Sequence, residues 1–117
     1  MRRTAMTKTR TAAPPRMAAM DAAQLAARAR QAADFLRSLA NEHRLLILCA
    51  LVEGERSVGE LAARLGITQP NASQHLFKLK SEGVVATRRA GQTIYYRLAS
   101  DRIAPLIMQL HAMFCRP

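Results

Sequence analysis

The hydrophobic period of this chain changes once, at Gly83, and that change limits the fold more than any other feature. Before it, apolar residues recur at helical spacing in segments that stop at Gly54, Gly66 and Gly83, residues able to take the positive φ that ends a helix. After it, Val84-Val85-Ala86-Thr87-Arg88-Arg89 and Thr93-Ile94-Tyr95-Tyr96-Arg97-Leu98 alternate around Ala90-Gly91-Gln92, the pattern of a β-hairpin. Ser57-Val58-Gly59-Glu60 has the form of a capping box opening a helix whose inward stripe is Val58, Leu61, Ala62 and Leu65. Thr68 caps the next helix, with Pro70 in the first turn, where its missing N–H costs nothing, and Ala72, Leu76 and Leu79 inward. Two short helices joined by Leu65-Gly66-Ile67-Thr68, with small Ala62 at their crossing, make a helix-turn-helix, and the hairpin adds a wing. The expected fold is mainly α with a β-hairpin wing.

The flanks are helical as well. An Ala-rich helix is expected over about 20–33, followed by one from about 34 to 53 that contains Asn41 as a possible N-cap. Its part 44–53 is apolar on nearly every side, which predicts burial all round. Ser100-Asp101 reads as the cap of a last helix, in which Ile103, Leu106, Ile107, Leu110, Met113 and Phe114 recur at helical spacing. Residues 1–19, rich in Ala, Thr, Pro and Arg, read as a disordered basic tail, and 20–117 as a single winged-helix DNA-binding and dimerisation domain.

The formal charge of +10 points to a polyanionic partner. Its position matters more than its sum. Residues 21–56 balance five basic against five acidic groups, whereas 57–99 hold six against two, so the folded excess lies on the helix-turn-helix and hairpin. The longest apolar run, Leu45 to Val52, is far short of the roughly 20 residues that cross a bilayer, and the N-terminus has no apolar signal core. No nucleophile-base-acid set, glycine-rich phosphate loop or carboxylate pair suggests an enzyme or a bound cofactor.

On a helical wheel the second helix of the pair turns Pro70, Gln74, Phe77, Lys78 and Ser81 outward, with Asn71 and Ser73 on the flanks and Gln69 at the start. Amides and hydroxyls can hydrogen-bond base edges, and a lysine suits a phosphate. Gln69, Asn71, Ser73 and Gln74 are therefore the candidates for the bases of double-stranded DNA, and Lys78 for its backbone. Arg88, Arg89 and Gln92 surround the hairpin tip, where cations enter a minor groove or hold its phosphates. His75 lies near the inward edge, where a structural hydrogen bond competes with a base contact. Phe77, an outward aromatic, is expected to pack against the hairpin.

Leu39-Ala40-Asn41-Glu42-His43-Arg44, Ser73-Gln74-His75-Leu76 in the helix-turn-helix, and Gly91-Gln92-Thr93-Ile94-Tyr95-Tyr96-Arg97-Leu98 together resemble the ArsR/SmtB family of bacterial repressors, over about residues 34–117. The resemblance implies a cytoplasmic, nucleoid-associated homodimer joined through its first and last helices and bound to a near-palindromic operator. Its two reading helices would then lie about 34–36 Å apart.

Neither common metal site of that family is present, and no metal ligand set is assigned. The helix before the turn, SVGELAARLG, has no cysteine, and Asp101 is followed by Ile103 where the other site needs histidine. What remains is Cys49 and Cys115, the only two cysteines. Their placement is similar to the reactive-sulfur-sensing branch of the family. That likeness implies that persulfide or polysulfide donors link the two sulfurs, directly or through added sulfur atoms, release the DNA and so control sulfide-detoxification genes. The residues themselves leave other signals open: general oxidants making a disulfide, or a soft metal held by Cys49, Cys115 and His111.

Overall fold

In the computed structural model, which describes residues 19–115, the first helix, α1 (Ala22–Leu39), opens on a reciprocal cap. Asp21 Oδ1 accepts from the Gln24 N–H at 2.8 Å, and Gln24 Oε1 accepts from the Asp21 N–H at 3.0 Å. The helix passes through the boundary expected near residue 33, because nothing there stops it, and ends instead at Leu39. Asn41 then starts α2 (Glu42–Val52) from an extended backbone, its Oδ1 accepting from the His43 N–H at 2.9 Å and the Arg44 N–H at 3.1 Å. Replacing that cap, Asn41→Ala, is expected to lower stability by about 1 kcal/mol and Asn41→Asp by far less, read from denaturant midpoints.

The helix-turn-helix follows the capping signals. Ser57 and Glu60 form both halves of the box, Glu60 N–H to Ser57 Oγ at 3.2 Å and Ser57 N–H to Glu60 Oε1 at 2.8 Å, and open α3 (Val58–Leu65). Gly66 closes α3 with φ 70°, a left-handed turn that a side chain would strain. Thr68 Oγ1 then accepts from the Asn71 N–H at 3.2 Å and starts α4 (Gln69–Ser81). Leu61, Ala62, Ala72, Leu76 and Leu79 are buried, so the inward positions of both helices are those the spacing gives.

The wing is β2 (Val85–Ala90) paired antiparallel with β3 (Thr93–Leu98), from Val85 opposite Leu98 to Ala90 opposite Thr93. Gly91 and Gln92 make the turn, with Gly91 at φ 65°. A third strand, β1 (Arg56–Ser57), pairs with β3, Arg56 opposite Tyr96, and gives the order β1-β3-β2. Two residues are too few to show a period, and Ser57 serves also as the α3 cap.

The last helix, α5 (Ile103–Phe114), corrects the expected start. Ser100 Oγ accepts from the Arg102 N–H at 3.1 Å inside a turn, and Arg102 occupies the cap position without a side-chain bond. Pro105 explains the shift. Were Asp101 the cap, residue 105 would have to donate its N–H back to Asp101, and proline has none; with Arg102 there, Pro105 falls among the first-turn residues whose N–H has no helical partner. Ile103 and Ile107 of its stripe are buried and Leu106 packs beside them, but Met113 and Phe114 are exposed. α2 is not buried all round either: Ile47, Leu48, Ala50 and Leu51 are, whereas Leu46 is exposed and Cys49 half-buried. The basic tail assigned to 1–19 lies outside the described residues, Ala19 apart.

Candidate nucleic-acid interface and thiol cleft

Helix α4 sets its polar face by the same 3.6-residue period that buries Ala72, Leu76 and Leu79. Gln69, Ser73, Gln74 and Lys78 are exposed, and Asn71 is half-buried beside them. Gln69 reaches back toward α3: a Cβ on Gly59 would stand 3.2 Å from its Nε2, so a side chain there would push the amide aside by a few tenths of an ångström. Lys78 Nζ lies 3.7 Å from Glu82 Oε2, a pair one turn along. Exposed pairs of this kind are weak and open readily to a competing phosphate.

His75 stands apart from this face. Its ring meets that of His43 edge-on, with centroids 5.5 Å apart and planes at 71°, and so ties α4 to α2. Burial pushes its pKa below the ordinary value, with the charges of Arg44 and His43 adding to the effect. Where the sequence leaves a structural hydrogen bond and a base contact competing at His75, the partner that the structure gives it is this ring contact. Phe77 departs from its expected packing against the hairpin, since it is 75% exposed.

On the wing the three predicted residues separate. Arg88 Nε donates to Glu55 Oε1 at 2.7 Å and its guanidinium sits 4.9 Å from the centre of the Tyr95 ring, so it braces β2 and β3 well before the tip. Arg89, paired with Ile94, points to the opposite face of the ribbon and is exposed, as is Gln92 in the turn. Alternation across a strand makes Arg88 and Arg89 different in surroundings although they are adjacent.

Between α2 and α5 lies an open cleft of about 250 Å³ lined by Cys49, Val52, Glu53, Ile107, Met108 and His111. Burial pushes the Cys49 thiol pKa up, and the charges of Cys115 and Glu53 raise it further. Cys115 caps the C-terminus of α5, its N–H donating to the His111 carbonyl at 2.8 Å, and is exposed. Both cysteines are free thiols. Among the described residues no group of three or more His, Cys, Asp or Glu side chains is placed to hold a metal ion, so Cys49, Cys115 and His111 do not form one in this conformation.

Glu53 is the residue that sequence reasoning missed. Its Oε1 accepts from Arg64 Nη2 at 2.6 Å and from Arg56 Nη2 at 3.1 Å. One carboxylate thus touches the cleft, α3 and β1. No local pattern signals this, because Arg64 is eleven residues away.

Residues 41–87 match the model of the bacterial regulatory proteins of the arsR family. The chain is 50% identical over 90 residues to the biofilm growth-associated repressor of Agrobacterium fabrum, covering 77% of each protein. The chain belongs to the ArsR family. Among solved structures, that of the transcriptional repressor BigR from Xylella fastidiosa superposes with a TM-score of 0.74 at 42% identity, covering 84% of this chain and 100% of that one. A homodimeric winged helix-turn-helix DNA-binding domain from Mycobacterium bovis gives 0.70 at 38% identity, covering 81% and 88%.

This ArsR-family protein is therefore a DNA-binding transcriptional regulator and not an enzyme, and its fold is the winged helix-turn-helix expected from the change of period. No helix among its described residues is long and apolar enough to cross a membrane.

Proposed function

We propose that this regulator is a homodimeric repressor of a near-palindromic operator, and that persulfide donors release it by linking Cys49 to Cys115. The observation that carries the proposal is the cleft between α2 and α5. Cys49 opens onto it beside His111, and Cys115, one turn past His111, is near enough for its charge to act on Cys49. The unequal surroundings of the thiols support one order. Exposed Cys115 attacks first, and Cys49, whose raised pKa keeps it protonated longer, resolves.

The electrons balance without a further oxidant. The Cys115 thiolate attacks the sulfane sulfur of a persulfide RSSH, giving a Cys115 persulfide and the thiol RSH. The Cys49 thiolate then attacks Cys115 Sγ, forming the disulfide and expelling sulfide. Two thiols have lost two electrons, and the sulfane sulfur has taken them. A second donor adds one sulfur atom before closure and gives a trisulfide, which suits a wider gap than the Cα separation of about 4.4–6.8 Å that a disulfide requires.

Gln69, Asn71, Ser73 and Gln74 on α4 read bases, with Lys78, Arg89 and Gln92 on the backbone and in the minor groove. Arg88 supports the wing, and His75 seats α4 against α2. Exposed Met108, Met113 and Phe114 on α5 and Leu36 on α1 support a second copy covering the last and first helices, each side chain gaining about 1.5–3 kcal/mol when fully covered. By resemblance, the controlled genes are those that dispose of sulfide.

Glu53 carries the signal. Drawing α2 and α5 together at Cys49 moves the carboxylate that holds Arg64 of α3 and Arg56 of β1. Glu53→Gln keeps the shape but not the charge. Iodoacetamide labelling of Cys49 in this variant is expected to become half-maximal at lower pH, because a charge that raises the thiol pKa is gone. The ratio of reduced to bridged operator affinity should shrink by about two- to thirtyfold. A labelling profile and affinity ratio identical to those of the parent protein would remove Glu53 from the path.

A further inference from the structure

Between α4 and the wing lies an open recess of about 540 Å³ lined by Ser73, Phe77, Lys80, Ser81 and Tyr96. The first four are i, i+4, i+7 and i+8 on one flank of α4, and Tyr96 comes from β3. We infer that this recess is the seat of one sugar-phosphate strand of the operator, with Lys80 on the phosphate and Phe77 against the deoxyribose. This rests on the reading that α4 enters a major groove while the wing tip reaches the minor groove beside it.

The placement follows from that geometry. Adjacent major and minor grooves are separated by a single backbone strand, so whatever fills the angle between α4 and the wing faces that strand. The lining has the matching chemistry. Lys80 is exposed and, unlike Lys78, makes no ion pair among the described residues, and no carboxylate lines the recess. Tyr96 offers a hydroxyl donor from across the gap, and Ser73 closes the end nearest the bases. Ser81 offers no donor, because its hydroxyl already donates to the Lys78 carbonyl at 2.8 Å. Phe77, 75% exposed, presents an apolar face of the kind that packs on a sugar.

Helical spacing alone hides this site. It ranks Lys78 above Lys80 as the outward cation, since Lys80 lies toward the flank. Only the position of Tyr96 across the gap turns that flank into a wall.

The test uses the full chain and a duplex that it has selected from a random-sequence pool, with single methylphosphonates placed in turn along each strand. One neutralised phosphate per half-site is expected to weaken the parent protein about tenfold. The same position is expected to have no effect on Lys80→Ala, whose salt slope is smaller by about 0.9 per protomer. Phe77→Ala should weaken binding about equally on selected and scrambled duplexes.

A Lys80→Ala protein with an unchanged salt slope, or one that still loses tenfold at that phosphate, overturns the seat. Gln74→Ala on the same duplexes separates the two levels of the claim. If Gln74→Ala weakens binding while Lys80→Ala does not, the recess assignment fails and the α4 reading stands; if neither does, both fail.

Discussion

Serine at either cysteine is expected to leave operator binding of the reduced protein within about twofold and to abolish release by glutathione persulfide. The first part follows from exposure: Cys115 is a surface residue, where substitutions usually stay within about 0.5 kcal/mol, and Cys49 loses little by an isosteric change at a cleft edge. The second follows from chemistry, since no bridge closes with one thiol. The parent protein should lose about 5- to 150-fold in affinity on bridging, the ordinary range of allosteric coupling, and both variants should lose none. The variants also separate the roles. Cys49→Ser should accumulate a persulfide on Cys115 and keep its DNA, whereas Cys115→Ser, deprived of the exposed attacker, should remain largely unmodified. Fluorescence anisotropy before and after donor gives the affinities. A single-cysteine variant that still lets go of DNA contradicts the bridge.

The second large effect is on stability. Leu76 is fully buried on α4 and belongs to the core that joins α4 to α2 and the wing, so Leu76→Ala should destabilise the fold by about 3 kcal/mol. Small domains have about 5–15 kcal/mol in all, so a loss of this size takes a large share. Operator binding should fail at elevated temperature in step with unfolding. Gln74→Ala, two residues earlier and exposed, should behave the opposite way: an unchanged denaturant midpoint and a loss of about 1–3 kcal/mol in operator affinity. Together the two variants separate the face that holds the helix from the face that reads.

Local chemistry was legible in the sequence, and pairing across distance was not. Asn41, the Ser57–Glu60 box, Gly66, Thr68 with Pro70, and the turn at Gly91 act within four residues, so spacing reveals them. The α1 boundary was misplaced because Asp34 lies in a stretch with no stop signal, whereas Ala40-Asn41 contains a real one. The α5 start was misplaced because the cap was read from Ser100 and Asp101 without asking which carbonyl would lack a donor at Pro105. Met113 and Phe114 carry a helical period, yet no element of the described chain covers them. At the reading face, residue types were readable but not their partners. Nothing in the order of residues shows that Glu55 holds Arg88 or that Glu82 holds Lys78 while Lys80 has no ion pair among the described residues. The thiol pair was readable only as two positions. Their inequality, one raised by burial and one exposed, comes from how α2 and α5 pack.

The central claim is that one covalent event at Cys49 and Cys115 controls DNA binding. Intact-protein mass spectrometry of the full chain, titrated with glutathione persulfide and split for operator anisotropy at each step, tests it most directly. The expected result is loss of both free thiols together, as a disulfide or with added whole sulfur atoms, in proportion to the fraction of protein released from DNA. Release while both thiols stay free, or a complete bridge in protein that still holds its operator, contradicts the account.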